Sequence, residues 1–446
     1  MSLIKATRLE EVYRAFNGRP VAIEDLDKFY LDTEEARGDN NPRRRIARTL
    51  RANQTENLHF LLVGYKGCGK STELNHLERD IQDQFLVLNY SVQDELDPVH
   101  LNYIELFIVT MEQLFTAAVE YNLPLNKEYL KRIQGWISSK EIEEIREKYN
   151  IGIDGEAGAE GSVGIPFLQK FFYKFKVSAK SSRSLKEVLK TNIEPKLSDL
   201  IDHCNDLITE VRLKLNRIGK RDLLIIVEDL DKIPLDRAQD LFLNYTNQLT
   251  QLKANVIFTF PIALYHSRRF NEIKSYFNDV HELPMVNVTN PDGSENPEAI
   301  STLQDIVERR MDVAALFANP AILKKMIMYC GGVLRDLFLL IRESAENALD
   351  YERKAITEKD FERSYQKMKK EYANNIAEDT EGGKRIPVEE YYKVLVTLIK
   401  SPNKQLDNSD AAMHLRQNLT ILGYDGEGWC DVHPIVKDIL KERGKL

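Results

Sequence analysis

His59-Phe60-Leu61-Leu62-Val63-Gly64-Tyr65-Lys66-Gly67-Cys68-Gly69-Lys70-Ser71 is the stretch on which the fold turns. Its first five residues form a short apolar run that meets glycine at once, and from Ser71 to Ile81 the spacing becomes helical, so strand, glycine loop and helix follow in order. Gly64 to Ser71 fits GxxxxGK[ST] in full, in the context that the mechanism of this motif demands. The glycines let backbone N–H groups turn inward around phosphate oxygens, and the following helix adds the positive end of its dipole. Lys70 then reaches the β- and γ-phosphates and the Ser71 hydroxyl reaches Mg²⁺. The cradle consists of Gly64, Tyr65, Lys66, Gly67, Cys68, Gly69, Lys70, Ser71 and Thr72.

Outward from this loop, Phe85 to Tyr90 reads as a second strand, Leu223 to Val227 as a third ending on Glu228-Asp229, and Asn255 to Phe260 as a fourth closed by Pro261. Strands alternating with helices predict a parallel sheet covered on both faces, an α/β core of the P-loop NTPase kind over 58–290. The stretch of about 97–220 far exceeds what a crossover helix needs and is read as an insertion. Within it 101–149 is helical, Gly152 to Gly164 has loop or hairpin composition, and Ser184 to Leu215 is helical again. Residues 1–57 read as a lead-in, 291–375 as a helical lid, and Glu378 to Gly383 as a flexible patch. In 385–446, helices near Glu389–Lys400 and Ser409–Asn418, a hairpin from Leu419 to Val432 and a helix after Pro434 follow the order of a winged helix.

A phosphate cradle does not hydrolyse by itself; it needs one carboxylate for the metal and one to orient water, at the end of a buried strand. Glu228-Asp229-Leu230-Asp231 supplies them. In the usual hhhhDE order the first acid holds Mg²⁺ and the second polarises water, which assigns Glu228 to the metal and Asp229 to catalysis. Here glutamate and aspartate stand in reverse order, so Asp229 is common to both the catalytic and the metal assignment, with Glu228 and Asp231 as alternates.

These residues resemble the AAA+ and STAND ATPases, in particular initiator-like and archaeal-type ATPases with a C-terminal winged helix. Besides Gly64–Ser71 and Leu223–Asp231, the likeness is carried by Val256-Ile257-Phe258-Thr259 and by Arg268-Arg269-Phe270 through His281-Glu282-Leu283-Pro284. Gly331-Gly332-Val333-Leu334-Arg335-Asp336-Leu337 and Ala355 to Phe361 complete it. The resemblance implies that Thr259 senses the γ-phosphate, that Arg335 contacts it from the lid, and that Arg269 enters a neighbouring subunit's site. It also implies ATP and Mg²⁺ as ligands. The long insertion and the Glu-Asp order depart from the family pattern.

Composition is consistent with a folded chain of two or three domains: 446 residues, 43% hydrophobic, 30% charged, 9% aromatic, net charge −8. Lys5, Arg8, Glu10 and Glu11 break any apolar leader, and no apolar run reaches the ~20 residues of a membrane span, so a cytosolic location is expected. Cys68, Cys204, Cys330 and Cys430 lack metal-site or disulfide spacing. Residues 165–190 hold seven basic side chains against one acid, interleaved with Phe167, Phe171, Phe172, Tyr173 and Phe175. That pattern suits nucleic acid or an acidic partner. It equally suits a strand whose Phe171, Tyr173 and Phe175 alternate into a sheet core. The functional expectation is an ATP-hydrolysing switch whose nucleotide state governs self-association or a protein partner, in defence or signalling. A DNA-binding ATPase of the replication or transposition type and a non-hydrolysing, nucleotide-bound scaffold are the alternatives.

Overall fold

Five strands build the central sheet: β1 (His59–Gly64), β2 (Phe85–Ser91), β3 (Asp222–Glu228), β4 (Asn255–Phe260) and β5 (Asp279–Leu283). All pairings are parallel, in the order β2-β3-β4-β1-β5. The computed structural model describes residues 3–53, 55–149, 151, 164–189, 197–377, 385–424 and 428–446. β1 to β4 fall where the apolar runs place them; β5, with its alternation of exposed and buried residues, was not foreseen as a strand.

Alternate strand residues feed two cores. Phe60, Leu62, Leu224, Ile226 and Ile257 face the helices Pro42–Ala52 and Lys70–Ile81, burying Ile46, Leu50, Leu74 and Leu77. Leu61, Val63, Ile225, Val227, Val256 and Phe258 face the insertion. The register sets Ser91 beside Glu228, Val227 beside Phe258 and Leu62 beside Thr259. The carboxyl ends of β1, β3 and β4 therefore converge, which is where open parallel sheets bind ligands.

The insertion is helical as expected over Tyr103–Glu120, Lys127–Ile137 and Lys140–Lys148. The segment 165–190 corrects the strand alternative: Ile165–Ser181 is a helix, in which Leu168, Phe171, Phe172, Phe175 and Ala179 are buried and Tyr173 points out. Those buried positions recur at helical spacing, which outweighs the shorter alternation of Phe171, Tyr173 and Phe175. Within the helix expected over Ser184–Leu215, the described residues hold the helices Arg183–Val188 and Leu197–Arg212. The glycine-rich stretch, apart from Gly164, and the Glu378–Gly383 patch lie outside the described residues.

After β5 come the helices Pro297–Arg310, Ala321–Tyr329, Leu334–Asp350 and Glu358–Asn374, whose apolar faces merge with those of the C-terminal residues in one core. The C-terminal order is helix Val388–Lys400, helix Asp410–Gln417, an antiparallel hairpin of β6 (Ile421–Tyr424) and β7 (Trp429–Val432), and helix Pro434–Glu442. Of the N-terminal residues, Leu9–Ala15 packs along Leu334–Asp350, with Phe16 edge-on to Phe338 at 5.3 Å. Among the described residues no helix is long and apolar enough to cross a membrane. All four cysteines are free and buried.

Candidate functional site: the phosphate loop and its carboxylates

The loop between β1 and the helix Lys70–Ile81 bends through Gly67 and Gly69, both at positive φ (79° and 109°), where a side chain is strained. A Cβ on Gly67 would stand 2.7 Å from the Arg335 Cβ, so only glycine lets the helix Leu334–Asp350 approach the loop this closely. The intervening residues turn inward. Cys68 is wholly buried, and the Tyr65 ring is buried against Gly423 of β6. Tyr65 and Cys68 therefore present only backbone to a phosphate. Gly64 and Lys66 also lie outside the cleft lining, whereas Gly67, Gly69, Lys70, Ser71 and Thr72 form it.

Lys70 is buried and its ammonium donates to the carbonyls of Gly64 (2.9 Å) and Tyr65 (2.8 Å). Asp231 Oδ2 lies 2.9 Å away, itself 2% exposed. Burial disfavours both charges, but each partner's field outweighs it, raising the pKa of Lys70 and lowering that of Asp231.

The carboxylates at the end of β3 divide by environment. Burial raises the pKa of Glu228, the last residue of the strand, and the Ser71 hydroxyl and Asn89 beside its carboxyl act against that rise. Asp229 stands next in the left-handed region at φ 69°. Its Oδ2 accepts from Ser91 Oγ at 2.6 Å and its Oδ1 contacts Lys232. Ser71 with Glu228 forms a pair of hard oxygen donors of the kind Mg²⁺ takes, and Asp229 and Asp231 both line the cleft.

Thr259 Oγ1 accepts from the Leu230 N–H (3.0 Å) and lies 3.4 Å from the Val227 carbonyl. Its hydroxyl thus braces the acidic turn, and the residue is outside the cleft lining. Arg335 lines the cleft: it is in the first turn of Leu334–Asp350, its backbone N–H donates to the Gly67 carbonyl (3.3 Å), and its charge is felt by Lys70. Arg269 is exposed, pairs with Glu272 at 2.9 Å, and is not among the cleft residues of its own chain.

Sequence reasoning missed one wall of the site. Gly18 to Val21 and Phe29 to Leu31 line the cleft together with Ile306, Arg310 and Phe338. Val21 N–H donates to Thr72 Oγ1 (3.2 Å), Asn75 donates to the Val21 carbonyl (2.9 Å), and the Tyr30 hydroxyl bonds Glu73 (3.1 Å). Arg37, 2% exposed and itself part of the cleft lining, donates to Thr33, to the Cys68 carbonyl (2.7 Å) and to the Pro284 carbonyl, fixing the loop. Phe29-Tyr30-Leu31 was visible as a dense apolar spot, but nothing in its spacing ties it to the glycine loop.

The basic stretch 165–190 contributes less surface than its composition implies. Lys176 is buried between Glu95 and Glu112, and Lys186 between Asp97 and Glu105. Lys170, Tyr173, Lys180 and Arg183 remain exposed, with Lys180 donating to the Asp94 carbonyl.

No protein-family model matches the chain, and no curated protein matches it. Among solved structures it is similar to the Walker-type ATPase PABY2304 of Pyrococcus abyssi, at 14% identity and a TM-score of 0.41, over 96% of this chain and 99% of that one. It is also similar to the ORC1 protein of Aeropyrum pernix, solved in complex with DNA (13% identity, TM-score 0.37, 93% and 94% of the chains). A third is the RuvB Holliday junction branch migration motor of Thermotoga maritima (10% identity, TM-score 0.34, 95% and 98%).

Proposed function

We propose that the chain is an ATP-binding and ATP-hydrolysing switch of the AAA+/STAND type, whose nucleotide state governs self-association or engagement of a partner. The observation that carries this reading is the convergence of Lys70, Ser71, Glu228 and Asp229 at the mouth of the glycine loop. The first-turn amides of Lys70–Ile81 favour phosphate, and Lys70 supplies the fixed positive charge. The apolar end, between Phe29, Leu31, Ile306 and Phe338, suits a flat base. Ser71 and Glu228 would hold Mg²⁺, which when bound neutralises phosphate charge. Asp229, anchored by Ser91, is the carboxylate placed to orient water and accept its proton. Arg335 reaches the same cleft from the lid, so phosphate and lid position are linked through one guanidinium.

Nucleotide would then bind one lid arrangement better than another, and hydrolysis would reset it. Lys70→Ala tests the reading: calorimetric titration with ATP should show binding lost, and phosphate release should stop. Unchanged ATP affinity in a folded Lys70→Ala protein refutes the site.

A further inference from the structure

An ammonium has three donors and no acceptor, and those of Lys70 are spoken for: two go to the Gly64 and Tyr65 carbonyls and the third faces Asp231. For Lys70 to hold a phosphate, one of these contacts must be released. The carbonyls belong to the loop itself, and the carboxylate carries the same sign of charge as the incoming group. Asp231 is 2% exposed and Lys70 is the cation at contact distance from it among the described residues, so the aspartate is held chiefly by that pairing in a nearly dry site. Asp231 also sits in the tight turn that starts at the left-handed Asp229, where Lys232 N–H closes back on the Asp229 carbonyl at 3.0 Å.

We propose that Asp231 is a counter-ion latch: it pairs Lys70 in the nucleotide-free chain and is displaced by phosphate, so that its release carries phosphate occupancy into the Asp229–Lys232 turn. This rests on the nucleotide reading above and gives the third acid a role apart from the metal. A buried cation left without its anion destabilises the fold until another anion replaces it. Removing the latch therefore weakens the empty protein and strengthens phosphate binding.

The test uses the full chain, wild type against Asp231→Asn and Asp231→Ser, titrated with ATP and with ADP in EDTA and melted with and without saturating ATP. Both variants are expected to bind ATP at least tenfold tighter than wild type without metal, to melt lower when empty, and to recover that loss with ATP. Equal or weaker binding in EDTA overturns the latch, as does a stability loss that persists at saturation. If neither variant folds even with ATP, the carboxylate is needed in the loaded state too, and the latch is again refuted. Wild type that fails to bind ATP refutes the nucleotide reading itself, whereas wild-type binding without gain in the variants refutes only the latch.

Discussion

Ser91→Ala asks whether Asp229 is positioned rather than merely present. Ser91 is the last residue of β2 and its register partner is Glu228, so the parallel ladder itself sets its hydroxyl beside the acidic turn. The Oγ···Oδ2 distance of 2.6 Å is that of a charge-assisted bond, which contributes ~1.5–3 kcal/mol. Without it, Lys232 on Oδ1 is the remaining contact of the Asp229 carboxylate among the described residues, and the carboxylate swings toward that cation while its backbone stays in the left-handed turn. If the whole of the bond serves to orient Asp229, turnover falls about 10- to 100-fold, at ~1.4 kcal/mol per tenfold, with ATP affinity unchanged. Ser91 also caps the helix Val92–Glu95, accepting from Asp94 N–H at 3.3 Å, so a stability loss of ~1 kcal/mol accompanies the change and is measured separately by melting. Steady-state phosphate release, run beside Asp229→Asn and the double variant, is the assay. A positioning role makes the double variant no slower than Asp229→Asn alone. Turnover of folded Ser91→Ala within twofold of wild type, or full additivity with Asp229→Asn, refutes the reasoning.

Three more outcomes follow from the same geometry. Asp229→Asn should keep ATP bound and lower turnover ~100-fold or more, as loss of a positioned base does, whereas Glu228→Gln should weaken the Mg²⁺ dependence; full activity in Asp229→Asn with none in Glu228→Gln would exchange the roles. Arg269→Ala should bind ATP normally yet turn over ~10³-fold more slowly, and mixing it with Lys70→Ala protein should restore activity; a single subunit's mass in light scattering with ATP present contradicts this. Glu105, wholly buried at the start of Tyr103–Glu120, has its carboxyl pushed up to about 7 by burial despite Lys186 at 3.3 Å. Between its usual value of 4.5 and that pH the folded chain keeps a proton that the unfolded chain has lost, so its contribution to stability falls as pH rises through the window and is flat above it. In urea melts the stability of Glu105→Gln relative to wild type should rise by up to about 3 kcal/mol from pH 4.5 to 7, and a difference that ignores pH counts against the assignment.

What was legible in the sequence shares one property: its determinants are local. The run His59–Ser71 carries strand, turn and helix start within thirteen consecutive residues, and Leu223–Asp231 carries strand and acids together, so a motif is enough to place them. The residues that complete the site come from far along the chain. Arg37 grips the Cys68 carbonyl across 31 positions, and Ser91 reaches Asp229 across 138, through a β2–β3 pairing that follows the long insertion. Neither residue type announces such a role: a serine ending a strand is ordinarily a cap, which Ser91 also is. The segment 165–190 failed for a different reason, since its sequence satisfied two periods at once and burial chose the helical one. That choice has a consequence for the site. With Lys176 drawn inward to Glu95, Lys180 onto the Asp94 carbonyl and Lys186 onto Asp97, the insertion grips the residues that directly follow Ser91. Its basic charge thus braces the end of β2, the strand whose last residue, Ser91, bonds Asp229.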